Sequence, residues 1–415
     1  MQEELGRRER MILAAVNQGD DRETADSLDE LQELADTAGV EVAGRLTQNR
    51  VSVQPGTYLG SGKIDELREL IALTGADGVI CDDELSPAQM RNLSELLDAK
   101  VADRTMLILD IFAAHAQTSE GKIQVELAQL QYRMTMLGGL GRSLSRLGGG
   151  IGTRGPGEKK LETDRRRIRS RITRLKEELR EVESHRELLR EGRRRKSLPV
   201  AAIVGYTNAG KSTLLNALAG SNVPEEDKLF ATLDPSTRKV TLEDGQEVLL
   251  TDTVGFIRKL PHHLVNAFRS TLEEAKYADL ILHVADLSNP QMEKQMFVVY
   301  DTLRQLGAAD KPVITVFNKT DLEPGCAEPG FMTDRRAWET VPVSAREGMG
   351  LEKLKDAMAR LLTRDHILIE RLYRYQDEAG KAQLIRRFGR LLKEEYREDG
   401  IYVKAYVPQD LYARV

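Results

Sequence analysis

The run Gly205-Tyr206-Thr207-Asn208-Ala209-Gly210-Lys211-Ser212 constrains this chain more than any other eight residues in it. It follows a short apolar stretch, Pro199–Val204, and precedes a helical run, Thr213–Ala219. A strand, a glycine-bearing turn and a helix start, in that order, commit the surrounding residues to an α/β layer. The turn aims backbone N–H groups and a helix N-terminus at one spot, which suits it to hold phosphate. Within it Lys211 is placed to neutralise the β and γ groups, and the Ser212 hydroxyl to ligate Mg²⁺. Residues 205–213, Thr213 included, are therefore the first candidate nucleotide-binding set.

Three more motifs follow in order, each at the end of an expected strand. Asp252-Thr253-Val254-Gly255 comes after Val248–Leu250, 41 residues beyond Lys211. There the Asp252 carboxylate can hold Mg²⁺, directly or through water, and the Gly255 N–H can sense a γ-phosphate. Asn318-Lys319-Thr320-Asp321 comes after the apolar run Val313–Phe317. Asp321 can accept hydrogen bonds from guanine N1–H and the N2 amine. Adenine has neither donor and would leave a buried charge unsatisfied. Lys319 can lay its stem along the base, and Ser344-Ala345 places the Ala345 N–H for guanine O6. The order and spacing point to GTP rather than ATP.

Between the first two motifs lies FATLDPSTRKV, Phe230 to Val240. A GTP-hydrolysing switch needs one threonine here to close over Mg²⁺ and the γ-phosphate. Thr232 is the first choice and Thr237 the alternative, so the candidate catalytic set is Lys211, Thr232 and Gly255, with Ser212, Thr232 and Asp252 around the metal. Phe256 stands where a glutamine would orient water in Ras-like enzymes, so unaided turnover is expected to be slow. Asn208 occupies a loop position that binds K⁺ in several related GTPases, which makes K⁺ a second candidate ion.

Across 415 residues, roughly one domain per 150 residues suggests two to four domains. Residues 1–115 alternate strand candidates (Met11–Val16, Val40–Leu46, Gly78–Cys81, Lys100–Asp103) with helix candidates (Thr24–Thr37, Lys63–Leu73, Pro87–Asp98), the signature of a parallel α/β domain. Residues 116–197 change character. Ile123, Leu127, Leu130, Met134 and Leu137 form one heptad-like stripe, and Ile168, Ile172, Leu175, Leu179 and Val182 another, so an antiparallel helical hairpin is expected. The run 138–157 between them carries nine glycines, three arginines and no acid. It reads as a loop, with Arg142, Arg146 and Arg154 as phosphate-binding forks. Residues 198–363 form the Ras-like P-loop domain. Residues 364–415, with a helix at Ala379–Glu395 and a strand at Ile401–Val407, form a small α+β domain.

The net charge of −5 conceals 19 Lys/Arg against nine Asp/Glu between Arg142 and Lys196, leaving −15 on the rest. So basic a segment on an acidic chain suits a polyanion such as RNA. Two distant cysteines, Cys81 and Cys326, fit neither a disulfide framework nor a zinc site. With no membrane-length apolar run, a cytoplasmic monomer is expected.

Longer strings carry a more specific likeness. SEGKIQVELAQLQY, DRTMLILDIFA, GGGIGTRGPGEKKLETDRRRI, FATLDPSTR and DTVGFIRKLPHHLVNAFRSTLEEA resemble the HflX family, in the Obg–HflX group of TRAFAC P-loop GTPases. Lys159 and Lys160 depart from the family's usual residues. The resemblance implies a ribosome-associated GTPase that binds the large ribosomal subunit and hydrolyses GTP in splitting or rescuing ribosomes under stress. In it, the 138–157 run reaches ribosomal RNA. Alternative readings are a large-subunit assembly GTPase, a tRNA-modification GTPase, for which no companion catalytic signature is present, and an N-terminal nucleotide-dependent RNA remodeller resting on Gly60-Ser61-Gly62-Lys63.

Overall fold

The computed structural model describes residues 7–147, 156–195, 198–220, 229–230, 236–243, 245–259, 274–322, 333–376 and 378–415. The chain divides into two compact units. The first comprises Met1–Val182 with Glu226–Asp234 and Ile257–Arg269; the second comprises Glu183–Glu225, Pro235–Phe256 and Ser270–Val415.

In the first unit four parallel strands, β1 (Arg10–Asn17), β2 (Glu41–Asn49), β3 (Gly78–Cys81) and β4 (Lys100–Asp103), lie in the order β2-β1-β3-β4. Every residue of β1 after Arg10 is buried, as a strand covered on both faces requires. The helices α1 (Asp21–Thr37), α2 (Ser61–Thr74) and α3 (Pro87–Leu97) alternate with these strands. Asp20 caps α1, and Ser86 with Gln89 forms a reciprocal box around Pro87 at the start of α3; caps of this kind are each worth about 1 kcal/mol. The core joins Ile12, Ala14, Leu67, Val79 and Leu93. The run Gly60–Lys63 opens α2, where the Gly60 N–H donates to Gln48 Oε1 at 2.8 Å and Lys63 pairs with Glu66 at 2.7 Å.

After α4 (Arg104–His115), a helical hairpin follows: α5 (Ser119–Leu147) and α6 (Pro156–Arg195). The expected α6 stripe lies on its less exposed side, with Leu175 fully buried. On α5 the deepest side chains are Gln124, Val125, Leu127, Ala128 and Tyr132, so Leu127 of the expected stripe is buried, while Ile123, Leu130, Met134 and Leu137 are half-buried. The reason is that α5 serves three neighbours, packing on α3 and α4 and also pairing with α6 through Glu126 and Arg171, whose fork donates twice at 2.7 Å. The loop expected over 138–157 needs correction, because α5 continues to Leu147 and α6 begins at Pro156. In the sequence Leu137, Leu140, Leu144 and Leu147 follow one another by three, four and three residues, a helical period that runs through the glycines, each of which costs a helix about 1 kcal/mol.

The second unit holds a six-stranded sheet of β5 (Val200–Gly205), β6 (Thr237–Thr241), β7 (Glu247–Asp252), β8 (Leu280–Asp286), β9 (Val313–Asn318) and β10 (Glu339–Pro342). The order is β10-β9-β8-β5-β7-β6, parallel except for β6. One apolar layer gathers Leu214 and Leu218 of α7 (Lys211–Ala219) with Leu354 and Met358 of α9 (Leu351–Thr363). The other gathers Val299 and Leu303 of α8 (Met292–Gln305). All strand ends carrying the nucleotide motifs therefore emerge from one edge of one sheet.

Residues beyond α9 form an antiparallel sheet, β11 (His366–Tyr373), β12 (Arg390–Arg397) and β13 (Gly400–Pro408), in the order β11-β13-β12. The helix α10 spans Ala379–Phe388 and buries Ala382 and Ile385 against Ile369, Val403 and Ala405. The helix expected to reach Glu395 thus stops at Gly389, and its second half is strand β12. No described helix is long and apolar enough to cross a membrane.

Candidate nucleotide site

The strand β5 delivers Gly205 into the loop 206–210, and Lys211 begins α7. Asn208 has φ 58°, a left-handed geometry that asparagine tolerates better than most residues. Gly210, at φ 89°, sits so close to Asn318 that a Cβ would overlap its Nδ2. That same Nδ2 donates to Ala209 O at 2.9 Å, while Asn318 Oδ1 accepts the Ala345 N–H at 3.0 Å. One amide therefore ties the phosphate loop to the loop expected around the base. The Ala345 N–H, expected to face guanine O6, is directed at Asn318 in this arrangement.

Lys211 is buried, and its ammonium donates to Tyr206 O at 2.7 Å. Burial lowers its pKa to about 8, against an upward pull from Asp252. Ser212 Oγ donates to Asp252 Oδ2 at 2.7 Å, so β7 and α7 bring a hydroxyl and a carboxylate together. These hard oxygen donors suit Mg²⁺, which prefers one or two protein ligands with phosphates and water. Thr253 is held by its hydroxyl to Ile203 O at 2.8 Å, and Val254 is buried beside it.

Gly255 lies against the phosphate loop. A Cβ there would come within 2.8 Å of Thr207 Cγ2, 2.9 Å of Thr207 Cα and 3.0 Å of Lys211 Nζ. The next residue is stitched to the same loop: Phe256 N–H donates to Gly205 O at 3.1 Å, and Thr207 N–H donates to Phe256 O at 2.8 Å. The Phe256 ring is buried with Tyr206, Ala278 and Val299. It faces the core, not a water molecule.

At the base-facing end, Asp321 Oδ1 accepts the Ser344 hydroxyl at 2.6 Å, and Thr320 N–H donates to Val343 O at 3.4 Å. Lys319 has φ 64°, and its ammonium reaches Asp286 Oδ2 at 2.7 Å. The sequence reading passed over Asp286. Its one available signal was an acid ending the apolar run LILHVAD, at the sheet edge where the other motifs end.

Among the remaining candidates, Thr237 belongs to β6 and shares a 3.0 Å hydrogen bond with Thr251, which makes it part of the sheet. Thr232 and Arg154 lie outside the described residues, as do the side chains of Arg142 and Arg146, whose backbones belong to α5.

Comparison with known proteins fits this geometry. Three family models match in succession: the N-terminal region of GTP-binding GTPases over residues 25–113, their middle region over 115–193, and the 50S ribosome-binding GTPases over 200–319. A GTPase HflX from Lacrimispora saccharolytica is 60% identical over 98% of this chain and 95% of its own length. One from Caldanaerobacter subterraneus subsp. tengcongensis is 50% identical over 100% of this chain and 94% of its own. A crystal structure of a GTP-binding protein from Sulfolobus solfataricus with GDP is 25% identical, covering 85% of this chain and 99% of that one at a TM-score of 0.43. With the phosphate loop, the Asp252–Gly255 motif and the base-side motifs meeting at one sheet edge, and with such identity along the whole chain, this protein belongs to the HflX family of GTPases.

Proposed function

We propose that this GTPase is a cytoplasmic, Mg²⁺-dependent switch that, as a monomer, binds the large ribosomal subunit and hydrolyses GTP in splitting or rescuing ribosomes. The observation that supports the switch is the seating of Gly255 against Thr207 and Lys211, which puts its backbone beside the loop that would hold the γ-phosphate. Lys211 neutralises the β and γ groups, the loop 205–213 wraps them, and Asp321 with Lys319 selects guanine. Ser212, Thr232 and Asp252 would hold Mg²⁺, which supplies charge neutralisation to the phosphates when bound.

Phe256 keeps its ring in the core and cannot orient water, so the chain alone turns over slowly, on the order of 10⁻⁴–10⁻² s⁻¹. The ribosomal partner supplies the missing stabilisation. Support for that partner comes from the matched 50S ribosome-binding GTPase family and from the +10 balance between Arg142 and Lys196. Arg142, Arg146 and Arg154 are the proposed ribosomal-RNA contacts, and Asn208 the proposed K⁺ ligand.

The test is GTP hydrolysis with and without purified large subunits, for the wild type and for a variant with all three arginines changed to Ala, in KCl and in NaCl. Stimulation that the triple variant largely loses is the expected result. Unchanged turnover with subunits, alongside intact GDP binding, would refute the ribosomal reading, and equal rates in the two salts would refute the K⁺ assignment.

A further inference from the structure

Six described residues other than glycine have clearly positive φ, and two of them flank the nucleotide motifs inside the first unit: Phe230 at 57° and Lys259 at 50°. Neither side chain favours that geometry, so its surroundings must hold it. Both are held by the same layer. The Phe230 ring, almost fully buried, meets Phe112 of α4 edge-on, with centroids 4.7 Å apart. Lys259 Nζ sits between Asp82 and Asp83, 2.7 Å from the latter.

The backbone next to Lys259 is gripped as well. The Arg258 N–H donates to Glu30 Oε1 at 3.1 Å, and its carbonyl accepts from Arg104 Nη1 at 3.3 Å. Arg104 is the first residue of α4 and is buried, donating also to Asp82 Oδ1 at 2.8 Å, Glu30 Oε1 at 3.0 Å and Ser27 O at 2.9 Å. One helix therefore touches residues from both flanking segments, with its start on one and its second half on the other.

The cap of that helix is shared with the hairpin. Asp103 Oδ1 accepts from Met106 N–H at 2.9 Å, capping α4, while its Oδ2 accepts from Leu85 N–H at 3.0 Å and from the Tyr132 hydroxyl of α5 at 2.9 Å. A shift of α4 along its axis cannot leave all three bonds on Asp103 unstrained. We infer that α4 is a relay: Arg104 and Phe112 register the segments that bear Lys259 and Phe230, and the shared Asp103 passes their position to α5. The nucleotide state then sets the placement of the hairpin. Arg104, Phe112 and Asp103 become positioning residues for the switch.

This relay rests on the reading of the segments around Thr232 and Gly255 as those that follow the γ-phosphate. The test is amide hydrogen exchange on the full chain, loaded with GDP or with a non-hydrolysable GTP analogue, after fluorescent GDP has shown that each variant binds. In the wild type, exchange over residues 104–115 and 125–135 should differ between nucleotides by about fivefold, the low end of allosteric coupling. Lys259→Ala should shrink both differences and Lys259→Arg should restore them. Tyr132→Phe should keep the difference in α4 and lose it in α5, which a merely structural role for the hydroxyl would not do. Equal exchange in α4 with both nucleotides bound, or a Tyr132→Phe profile matching the wild type, would overturn the relay. Failure of the wild type to bind guanine nucleotide would overturn the nucleotide-site reading and the relay with it.

Discussion

With Lys211 at the phosphates as proposed, nucleotide binding should be a proton-uptake reaction. Burial sets its pKa at about 8, so near pH 8 half of the unliganded molecules carry a neutral amine there. A polyphosphate beside the amine favours the charged form and raises the pKa in the complex. The sign follows: the group binds its proton more tightly when liganded, so affinity is full below the unliganded pKa and falls as pH rises through it. At pH 8, binding should take up about half a proton per nucleotide, and affinity at pH 8.5 should be about fourfold below that at pH 7. Titration calorimetry of GDP at pH 8, in two buffers of different ionisation heat, reads the proton count directly. Lys211→Arg keeps a permanent cation and should abolish the uptake. No uptake by the wild type, or the same uptake by the arginine variant, would refute the reasoning.

Two further outcomes follow from packing. Gly255→Ala places a methyl within 3.0 Å of Thr207 and Lys211, so GTP turnover should fall about 10²-fold while GDP affinity changes little, as steady-state rates and fluorescent-GDP titration can show. Arg104→Met takes the buried guanidinium from Asp82 and Glu30, leaving Asp82 to Lys259 and Ser27 and Glu30 to the Arg258 N–H, and should cost about 3 kcal/mol in urea unfolding, the low end for breaking a buried pair; a loss below about 1 would show that the network is not what holds these acids. Burial pushes the Asp82 carboxyl upward, but Arg104 and Lys259 outweigh it and hold the group below the usual range. Its contribution is therefore present above the ordinary aspartate pKa and is lost as pH falls through the lowered one.

The nucleotide motifs stood out because each residue answers a local demand: Gly210 for a left-handed turn, which it makes at φ 89°, and Lys211 and Asp321 for the phosphate and guanine contacts proposed above. The first sheet was legible too, since its central strands β1 and β3 are buried and largely apolar and its helices α1 and α3 carry side-chain caps. Asp286 was not, because its role appears only when Lys319, distant in sequence, arrives beside it. The strand β12 was missed for a different reason. Its ladder slips between Leu391 and Lys393, which breaks the two-residue period and leaves RLLKEEYR looking helical. At Gly138–Leu147 composition misled, since the glycines suggested a loop while the leucine spacing favoured a helix. The paired contacts of α4 were invisible for the same reason as Asp286, resting on partners more than a hundred residues away.

The amide of Asn318 has a consequence for how this site can change over time. Its nitrogen serves the phosphate loop and its oxygen serves the loop beyond β10, so the two ends of one small dipole are both committed. Aspartate would turn the donor into a second acceptor facing Ala209 O, and leucine would supply neither. Glutamine would keep the chemistry but move it outward by a methylene. If Asp321 reads the base as proposed, a change there leaves the bond from Asn318 to the phosphate loop in place, whereas a replacement at Asn318 removes a bond to each loop. A substitution at Asn318 should therefore disturb both halves of the proposed nucleotide site together.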